Sequence, residues 1–247
     1  MGLPFETDGG AADRAAIGVI LLQVDETLEP EMRTVFSEPG IGLYHSRIPS
    51  GAEVTPETLA QMEEDLPRAA ALLPPGADFD VVGYACTSGA TIIGADKVAR
   101  LIRDIHPDAL VTDPLTAAMA AFRILSVRKP AFVTPYVASV SQAMREALEA
   151  GGFRIEGFGS FEQAEEQIVA RISPRSVLEA VTEIGNGDSD SVFLSCTNLR
   201  SFGIIEDAER SIAKPVISSN SALCWHMRRL AGLPTKDRGP GRLFQTG

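Results

Sequence analysis

The sequence has few of the residues that build metal sites or disulfide frameworks. Its 247 residues include three cysteines and three histidines, and no two cysteines form a C-x-x-C pair. An odd number of widely spaced cysteines makes a poor disulfide framework, and scattered histidines disfavour a zinc site. The phosphate-binding patterns G-x-G-x-x-G and G-x-x-x-x-G-K-[ST] are also missing, which argues against a nucleotide-binding enzyme.

Positive charge and long apolar runs are scarce as well. The chain has 22 Lys and Arg against 33 Asp and Glu, a net charge of −11. Nucleic acid and anionic membrane would repel such a chain, so we expect neither as a partner, whereas a locally positive pocket can still bind a small anion. No apolar run is long enough to cross a bilayer, and residues 1–16 lack the apolar core of a signal peptide. We therefore expect a cytoplasmic protein.

Short apolar runs alternate with amphipathic segments along the whole chain. Strands are predicted over 17–24, 41–45, 79–85, 109–112, 131–134, 154–157, 191–195 and 215–218. Helices are predicted over 27–37, 55–73, 90–105, 114–125, 139–150, 161–171, 174–184 and 221–230. This alternation is typical of an α/β fold with parallel sheets, in which right-handed crossovers place helices on both faces.

Two segments of the chain resemble each other. In FDVVGYACTS (79–88) and DSVFLSCTN (190–198) an apolar strand ends in Cys-Thr. A repeat this far apart fits two similar half-domains. We therefore predict two pseudo-symmetric doubly wound lobes, the first formed by 17–113 with 215–232 and the second by 114–214. Residues 1–16 and 233–247 are predicted to be flexible tails.

The two Cys-Thr pairs are the best candidates for chemistry. Ligands of open α/β sheets bind beyond the carboxyl ends of the strands, where Cys86 and Cys196 both fall. A helix start or tight turn after each cysteine would lower the thiol pKa and supply N–H groups for a carboxylate. Thr87 and Thr197 would add hydroxyl donors. The alternative is a buried apolar role, which we favour only for Cys224, within the last helix.

Two thiols on opposite sides of a substrate carbon suggest two reactions. In the first, one thiolate removes the proton next to a carboxylate and the other thiol returns a proton to the far face, which racemises the centre. In the second, a thiolate adds to a double bond, the adduct rotates, and elimination gives the other geometric isomer. Both reactions need donors for the charge that develops on the carboxylate.

A family resemblance begins at the two cysteine motifs. In YACTSGA and LSCTN the chain is similar to the aspartate/glutamate racemase superfamily. Three further stretches resemble the maleate isomerase and arylmalonate decarboxylase branch of that superfamily: GVILLQVDETLEPE, TPYVASV and KPVISSNSALCWHMRRL. Within that branch the chain looks most like the ectoine-utilisation EutA group. The resemblance covers about 17–232 and implies flavodoxin-like lobes with the active site between them, no metal, no cofactor, Cys86 and Cys196 as the catalytic pair, and a homodimer or homotetramer.

Further site residues are predicted around these motifs. By resemblance, the Tyr136 hydroxyl binds a substrate carboxylate. The other substrate contacts that we predict are Thr87, Ser88, Thr134, Thr197 and Asn198. For Arg47 we favour a solvated loop position, and for Asn220 a role in ordering its loop or capping the last helix.

Asp25 departs from the family pattern. In maleate isomerases the first strand ends in a stretch whose asparagine contacts substrate, and Asp25 stands at the matching place. An aspartate repels a second substrate carboxylate unless it is protonated or paired, whereas it attracts an ammonium group. Our hypothesis is that the substrate carries an amine or amide nitrogen, as ectoine breakdown products do. The alternative is that Asp25 caps the helix that follows.

Together these observations predict a cofactor-independent isomerase or racemase that acts on a small carboxylic or amino acid through a thiolate and a thiol. One alternative is a maleate cis-trans isomerase proper. A malonate-type decarboxylase is less favoured, because arylmalonate decarboxylases keep only the second cysteine and this chain has both. The non-enzyme alternative is a small-ligand binding protein, since two-lobed α/β proteins often bind ligands between their lobes.

Overall fold

Fully buried apolar strands form the centres of two parallel sheets in the computed structural model, which describes residues 1–51 and 55–246. The first sheet contains β1 (Ala15–Leu22), β2 (Ile41–Ile48), β3 (Val81–Ala85) and β4 (Leu110–Thr112) in the order β2-β1-β3-β4. The second contains β5 (Pro130–Tyr136), β6 (Gly157–Gln163), β7 (Ser191–Leu194) and β8 (Val216–Ser218) in the order β6-β5-β7-β8. The two orders are the same, so the predicted pair of similar parallel-sheet lobes is confirmed.

Helices follow the strands and cover the sheets. They are α1 (Leu28–Val35), α2 (Pro56–Ala70), α3 (Thr87–Ile93), α4 (Ala95–Arg103), α5 (Pro114–Ile124), α6 (Ala138–Ala150), α7 (Glu166–Val169), α8 (Pro174–Gly185), α9 (Phe202–Ile212) and α10 (Ser219–Leu230), followed by a 3₁₀ turn at Arg242–Gln245. Local sequence sets many of the starts. Asp113 caps α5, accepting hydrogen bonds from two backbone N–H groups, and Pro114 begins that helix, a position that suits proline. No helix of the described residues is both long and apolar enough to cross a bilayer.

Three predicted elements differ from the structure. The helix predicted over 90–105 is two helices, α3 and α4, because Gly94 between them has a φ of +91°, which glycine adopts readily. The strand predicted over 154–157 and the start of the helix predicted over 161–171 are replaced by β6, which pairs with β5 as an edge strand. Helix α9 was not predicted at all.

The chain returns to the first sheet later than the sequence suggests. The strand predicted over 215–218 was placed in the first lobe, but β8 is hydrogen-bonded to β7 and belongs to the second sheet. Helix α10 begins directly after β8 and contacts β3, β4 and α5. The crossing therefore takes place at Ser219, between a strand of one sheet and a helix that packs on the other.

The segment predicted as a flexible C-terminal tail is packed against the protein. Leu243 and Phe244 are buried, and the Arg242 N–H donates to the carboxylate of Glu209 on α9. The prediction of a loose tail over 233–247 is therefore wrong for this part of the segment; residue 247 lies outside the described residues. Apolar packing and a buried carboxylate hold the 3₁₀ turn in place.

Candidate active site

Cys86 lies at the carboxyl end of β3, where it also caps α3. Its Sγ accepts a hydrogen bond from the Gly89 N–H at 3.2 Å and lies 3.7 Å from the Ser88 hydroxyl oxygen. The backbone of Cys86 is extended, with φ −141° and ψ 111°. The strand end and helix start predicted at this cysteine are therefore both present.

Cys196 lies two residues beyond the end of β7, and its backbone differs from that of Cys86. Its φ of +125° is in a region that residues other than glycine rarely adopt. Such backbone strain costs about 1–3 kcal/mol and persists only where the surrounding structure enforces it. Here the Cys196 N–H donates to the Ser219 hydroxyl at 3.1 Å, and Sγ accepts from the Asn198 N–H at 3.2 Å. The second cysteine sits in a strained turn and not at a helix start.

Hydrogen bonds join the two cysteine motifs to each other. The Thr197 hydroxyl donates to the Ala85 carbonyl oxygen at 3.3 Å, and the Thr87 hydroxyl lies 2.8 Å from the Ser219 hydroxyl. Each threonine that follows a cysteine thus contacts the opposite motif or the residue that supports it. The carboxyl ends of β3 and β7, which belong to different sheets, meet at this point.

Tyr136 connects Cys196 to a carboxyl group that sequence reasoning missed. Its hydroxyl oxygen lies 3.0 Å from Cys196 Sγ, and the hydroxyl donates to Glu166 Oε1 at 2.8 Å. Thr134 is fully buried, and its Oγ1 accepts from the Tyr136 N–H at 3.3 Å. Glu166 is the first residue of α7, within the segment 161–171 that was predicted as a helix.

Asn198 ties three segments of the site together. Its Nδ2 donates to Glu166 Oε2 at 3.0 Å and its Oδ1 accepts from the Glu26 N–H at 2.9 Å. In addition, its backbone oxygen accepts from the Thr27 hydroxyl at 3.0 Å. Asn198 was predicted as a substrate contact, but both ends of its amide are engaged by protein groups. It positions the Cys196 turn against the start of α1.

Asp25 holds the start of the first helix, the second of the two roles considered for it. Its Oδ1 accepts hydrogen bonds from the Thr27 and Leu28 N–H groups at 2.9 and 2.8 Å, so it caps the start of α1. Its Oδ2 is buried and makes no close hydrogen bond among the described residues, although the Thr197 hydroxyl is near enough to lower the pKa of the carboxyl. Asp25 Oδ1 therefore holds the start of α1.

Arg47 and Asn220 support the loops that carry these residues. Arg47, on β2, donates to the carbonyl oxygens of Leu22 and Asp25 at 3.0 and 2.9 Å, and so holds the turn after β1. Asn220 donates to the Thr197 carbonyl oxygen at 3.0 Å and to Glu31 at 2.6 Å. Arg47 is exposed, as predicted, but it lies on a strand and not in a loop, and it is hydrogen-bonded to the backbone.

The site is closed in this structure. Solvent exposure is below 5% for each of Asp25, Cys86, Thr87, Ser88, Thr134, Tyr136, Glu166, Cys196, Thr197 and Asn198. Low exposure strengthens electrostatic interactions within the site, and it requires an opening motion for a substrate to enter. Cys224 is also buried, within α10, as predicted for a residue of the core.

Burial makes both thiols weak acids. It raises the pKa of Cys86 to about 11, and the Gly89 N–H opposes this only in part. For Cys196, burial and then the charge of Glu166 raise the pKa well above its usual value, against the hydrogen bonds from Tyr136 and Asn198. The lowered thiol pKa predicted from the sequence is therefore wrong for the closed site, although the predicted N–H donors are present.

Burial also raises the pKa values of the two carboxyl groups of the site. Desolvation raises the pKa of Asp25 to about 6, opposed by hydrogen bonds from the Leu28 N–H, the Thr197 hydroxyl and the Thr27 N–H. Burial likewise raises the pKa of Glu166, against the hydrogen bonds from Asn198 and Tyr136. The negative charges of Asp25 and Glu166 each raise the pKa of both thiols. Two acids and two thiols therefore share one buried site.

Three supporting residues were missed at the level of sequence. Glu166 stands in EQAEEQ, where nothing local separates it from its exposed neighbours. Ser219 was part of a quoted motif but was given no role. Glu31, on α1, accepts hydrogen bonds from the Ser201 and Phe202 N–H groups and from Asn220, across a long stretch of sequence that carries no signal of the contact.

Comparisons with known proteins agree with this geometry. The sequence profile of the arylmalonate decarboxylase family matches residues 29–244. A maleate isomerase of Nocardia farcinica is 28% identical over 93% of this chain and 95% of its own length. An arylmalonate decarboxylase of Bordetella bronchiseptica is 32% identical over 52% of this chain and 55% of its own length.

Solved structures give the same picture. A cysteine-to-serine mutant of the Nocardia farcinica maleate cis-trans isomerase with a covalently bound succinylcysteine intermediate has a TM-score of 0.87 and 26% identity, over 94% of this chain and 99% of that one. A double mutant of arylmalonate decarboxylase in a liganded form has a TM-score of 0.85 and 25% identity, over 94% of this chain and 100% of that one. Over nearly its whole length the chain is thus similar to maleate isomerases, and it belongs to the arylmalonate decarboxylase family.

Proposed function

We propose that this protein is a cofactor-independent isomerase of a small carboxylic acid, in which Cys86 and Cys196 act on one substrate from opposite sides. The observation that carries the proposal is the direct connection between the two motifs. Thr197 is bonded to the residue before Cys86, and Ser219 is bonded both to Thr87 and to the Cys196 backbone. Such bonds hold two thiols at fixed positions, as a reaction that uses both of them requires.

The chemistry of two thiols takes one of two forms. In proton transfer, one thiolate takes the proton from the carbon beside the carboxylate, and the other thiol gives its proton to the opposite face. In addition and elimination, a thiolate sulfur bonds to one alkene carbon, a proton goes to the other, rotation follows, and both are lost again. The covalent succinylcysteine described for the Nocardia farcinica enzyme supports the second form for that relative.

The finer substrate class follows from Asp25. The Asp25 carboxyl is buried, and the side-chain hydrogen bond that acts on it comes from the neutral Thr197 hydroxyl; a buried charge is costly unless a counter-charge reaches it. No Lys, Arg or His of the described residues pairs with Asp25 or Glu166. An ammonium group on the substrate would supply the missing positive charge, so the preferred substrate is an amino-acid-like molecule and not a simple dicarboxylate.

The family name also raises decarboxylation, which the residues favour less. Both cysteine positions are occupied in this chain, and a second thiol near the reacting carbon serves a two-sided reaction. Release of carbon dioxide from an arylmalonate that depends on Cys196 alone is the outcome expected of a decarboxylase.

The test uses the full chain in deuterium oxide with a panel of small acids followed by proton NMR. The panel contains maleate, an arylmalonate, and both enantiomers of aspartate, glutamate and N-acetyl-diaminobutyrate. Loss of an α-proton signal means racemisation, and conversion of maleate to fumarate without deuterium uptake means addition and elimination. Cys86→Ser and Cys196→Ser should each lower the rate at least about 1,000-fold, whereas Cys224→Ser should leave it within a few-fold.

Asp25→Asn tests the substrate class separately. If Asp25 holds an ammonium group, the variant loses activity on amino acids and gains relative activity on maleate. Equal losses on both substrates count against the ammonium and leave the two-cysteine mechanism standing. Turnover that persists in both cysteine variants contradicts the mechanism itself. The ectoine connection, the cytoplasmic location and a homodimer or homotetramer stay predictions from the sequence.

A further inference from the structure

A chain of two hydrogen bonds leads from the second cysteine to a buried carboxyl group. Cys196 Sγ lies 3.0 Å from the Tyr136 hydroxyl oxygen, and that hydroxyl donates to Glu166 Oε1 at 2.8 Å. An ionised carboxylate carries no proton, so the tyrosine proton lies towards Glu166. The remaining contact then requires the Cys196 S–H to donate to the tyrosine oxygen. The chain therefore has one direction, from sulfur to carboxylate.

We propose that Glu166 receives the proton of Cys196 through Tyr136 and so forms the Cys196 thiolate within the closed site. The S–H bond breaks as its proton bonds to the tyrosine oxygen, and the proton that the tyrosine held moves to Glu166 Oε1. The products are a thiolate, a neutral tyrosine and a neutral carboxylic acid. The assignment rests on the proposed function, in which a buried cysteine must lose its proton.

This transfer moves a buried charge and creates none. Before it the negative charge is on Glu166, and afterwards it is on Cys196, so no further ion is desolvated. Burial raises the pKa of Glu166, which makes this carboxylate a better proton acceptor than an exposed one. The charge of Glu166 is one cause of the raised pKa of Cys196, and this repulsion ends when Glu166 takes the proton. The two groups therefore titrate as a coupled pair.

Asn198 holds both ends of the chain of hydrogen bonds. Its backbone N–H donates to Cys196 Sγ at 3.2 Å, where it stabilises a thiolate. Its side-chain Nδ2 donates to Glu166 Oε2 at 3.0 Å, which turns Oε1 towards Tyr136. The other charged group that acts on Cys196 is Asp25, whose charge disfavours the thiolate. The proton acceptor is thus aimed by a residue that also contacts the sulfur.

Cys86 provides an internal reference, because it lacks such an acceptor. Its Sγ contacts the Gly89 N–H and the Ser88 hydroxyl, and Ser88 has no hydrogen bond to a carboxylate among the described residues. A Cys86 thiolate therefore forms only by loss of its proton to water. The two thiols of one molecule should differ in how their reactivity depends on pH.

The experiment measures alkylation of the full chain by iodoacetamide, at pH values from about 6.5 to about 9.5, with each cysteine followed by peptide mass spectrometry. Comparing Cys196 with Cys86 in the same sample removes the contribution of site opening. In the wild-type protein the Cys86 rate should rise about ten-fold per pH unit, as for any thiol below its pKa. The Cys196 rate should stay nearly constant, because its proton goes to Glu166 and not to water.

Three variants complete the test. Glu166→Gln keeps the size of the side chain but accepts no proton, so Cys196 should acquire the ten-fold rise per unit that Cys86 shows. Glu165→Gln removes the same charge from the exposed adjacent residue and should keep the constant rate. Tyr136→Phe removes the connecting hydroxyl, should also give the rise, and carries the test if Glu166→Gln does not fold.

A wild-type Cys196 rate that rises in parallel with Cys86 overturns the assignment. So does a constant Cys196 rate in Glu166→Gln or Tyr136→Phe, since a merely structural carboxyl would leave the pH profile unchanged. Because the measurement uses no substrate, it is separate from the proposed function. A Cys196 alkylation rate that does not change with pH would support the proton transfer to Glu166 even if no acid in the panel is turned over.

Discussion

The Thr87 hydroxyl lies 2.8 Å from the Ser219 hydroxyl, whose oxygen also accepts the Cys196 N–H at 3.1 Å. A residue next to the first cysteine is therefore two hydrogen bonds away from the backbone of the second. Ser219 itself lies at the junction between β8 of the second sheet and α10, which packs on the first. A single buried hydroxyl connects both lobes and both cysteines.

Ser219→Ala should lower turnover more than stability. The variant removes the acceptor that holds the strained Cys196 backbone, so we expect a fall in kcat of about ten-fold or more with a small change in KM. Ser221→Ala is the matched control, because Ser221 lies on the same helix and bonds only within its capping box. It should lose about 1 kcal/mol of unfolding free energy and keep its kcat. Equal kcat values for the two variants would remove Ser219 from this role.

Asp25→Asn should stabilise the protein more at high pH than at low pH. Burial raises the folded pKa of Asp25 from 3.8 to about 6. The folded state thus holds this proton more tightly than the unfolded state does, and the resulting stability is fully present below pH 3.8 and is lost as the pH rises through about 6. The loss is about 3 kcal/mol at most, and an asparagine does not incur it.

Urea unfolding at about pH 4 and about pH 8 measures the effect. The difference in unfolding free energy between Asp25→Asn and wild type should be larger at the higher pH. Comparing variant with wild type cancels the contributions of Glu31 and Asp113, whose pKa values are also raised by burial. Asp108→Asn, at an exposed position, should show no such difference, and a pH-independent effect at Asp25 contradicts its burial as a charge.

Glu31→Ala should be strongly destabilising. Glu31 accepts hydrogen bonds from the Ser201 and Phe202 N–H groups at 2.8 and 2.9 Å, and from Asn220 at 2.6 Å. Removing this partly buried acceptor leaves several donors without a partner, which costs about 3 kcal/mol. Denaturant unfolding gives the value. Glu206→Ala, at an exposed position of α9, should change it by less than about 0.5 kcal/mol, and a similar result at Glu31 would show that α9 needs no external cap.

Phe244→Ala should show that the C-terminal segment belongs to the core. Phe244 is 0% exposed, and truncation of a buried phenylalanine costs about 3–5 kcal/mol. Phe5→Ala is the matched control, since Phe5 is 86% exposed. Thermal unfolding of the two variants separates a packed segment from a loose one: equal melting temperatures would restore the flexible tail that the sequence suggested.

The cysteine motifs and the central strands were predictable because their signals are local. An apolar run such as 17–22 is buried on both faces of a parallel sheet, and a strand of that kind reads as a continuous hydrophobic segment. Cys86 and Cys196 follow such runs directly. Their placement at the carboxyl ends of β3 and β7 therefore required only the strand assignments and the parallel topology.

The elements that were missed depend on contacts between distant residues. Ser201, at the N-cap position of α9, makes no capping hydrogen bond through its side chain, and the cap comes from Glu31 on α1. Nothing near residue 201 announces this contact. Similarly, β6 is an edge strand that contains Gly157 and Gly159, and its pairing with β5 overrides the helix predicted over 161–163. Glu165 and Glu166 are adjacent and identical in type, and only the packing of α7 against the site buries one of them and exposes the other.

The backbone settings of the two cysteines are unequal, and this has a consequence for the reaction cycle. Cys86 is extended and caps a helix, whereas Cys196 has a φ of +125° and contacts a tyrosine. If turnover carries a proton from one sulfur to the other, the enzyme that releases product differs from the enzyme that bound substrate. The free protein must then reset its proton before the next substrate of the same hand can react. Because the two sulfurs are unequal, one of these two protonation states predominates in the free enzyme. An isomerase with nearly symmetric lobes would therefore not bind its two enantiomeric substrates equally well.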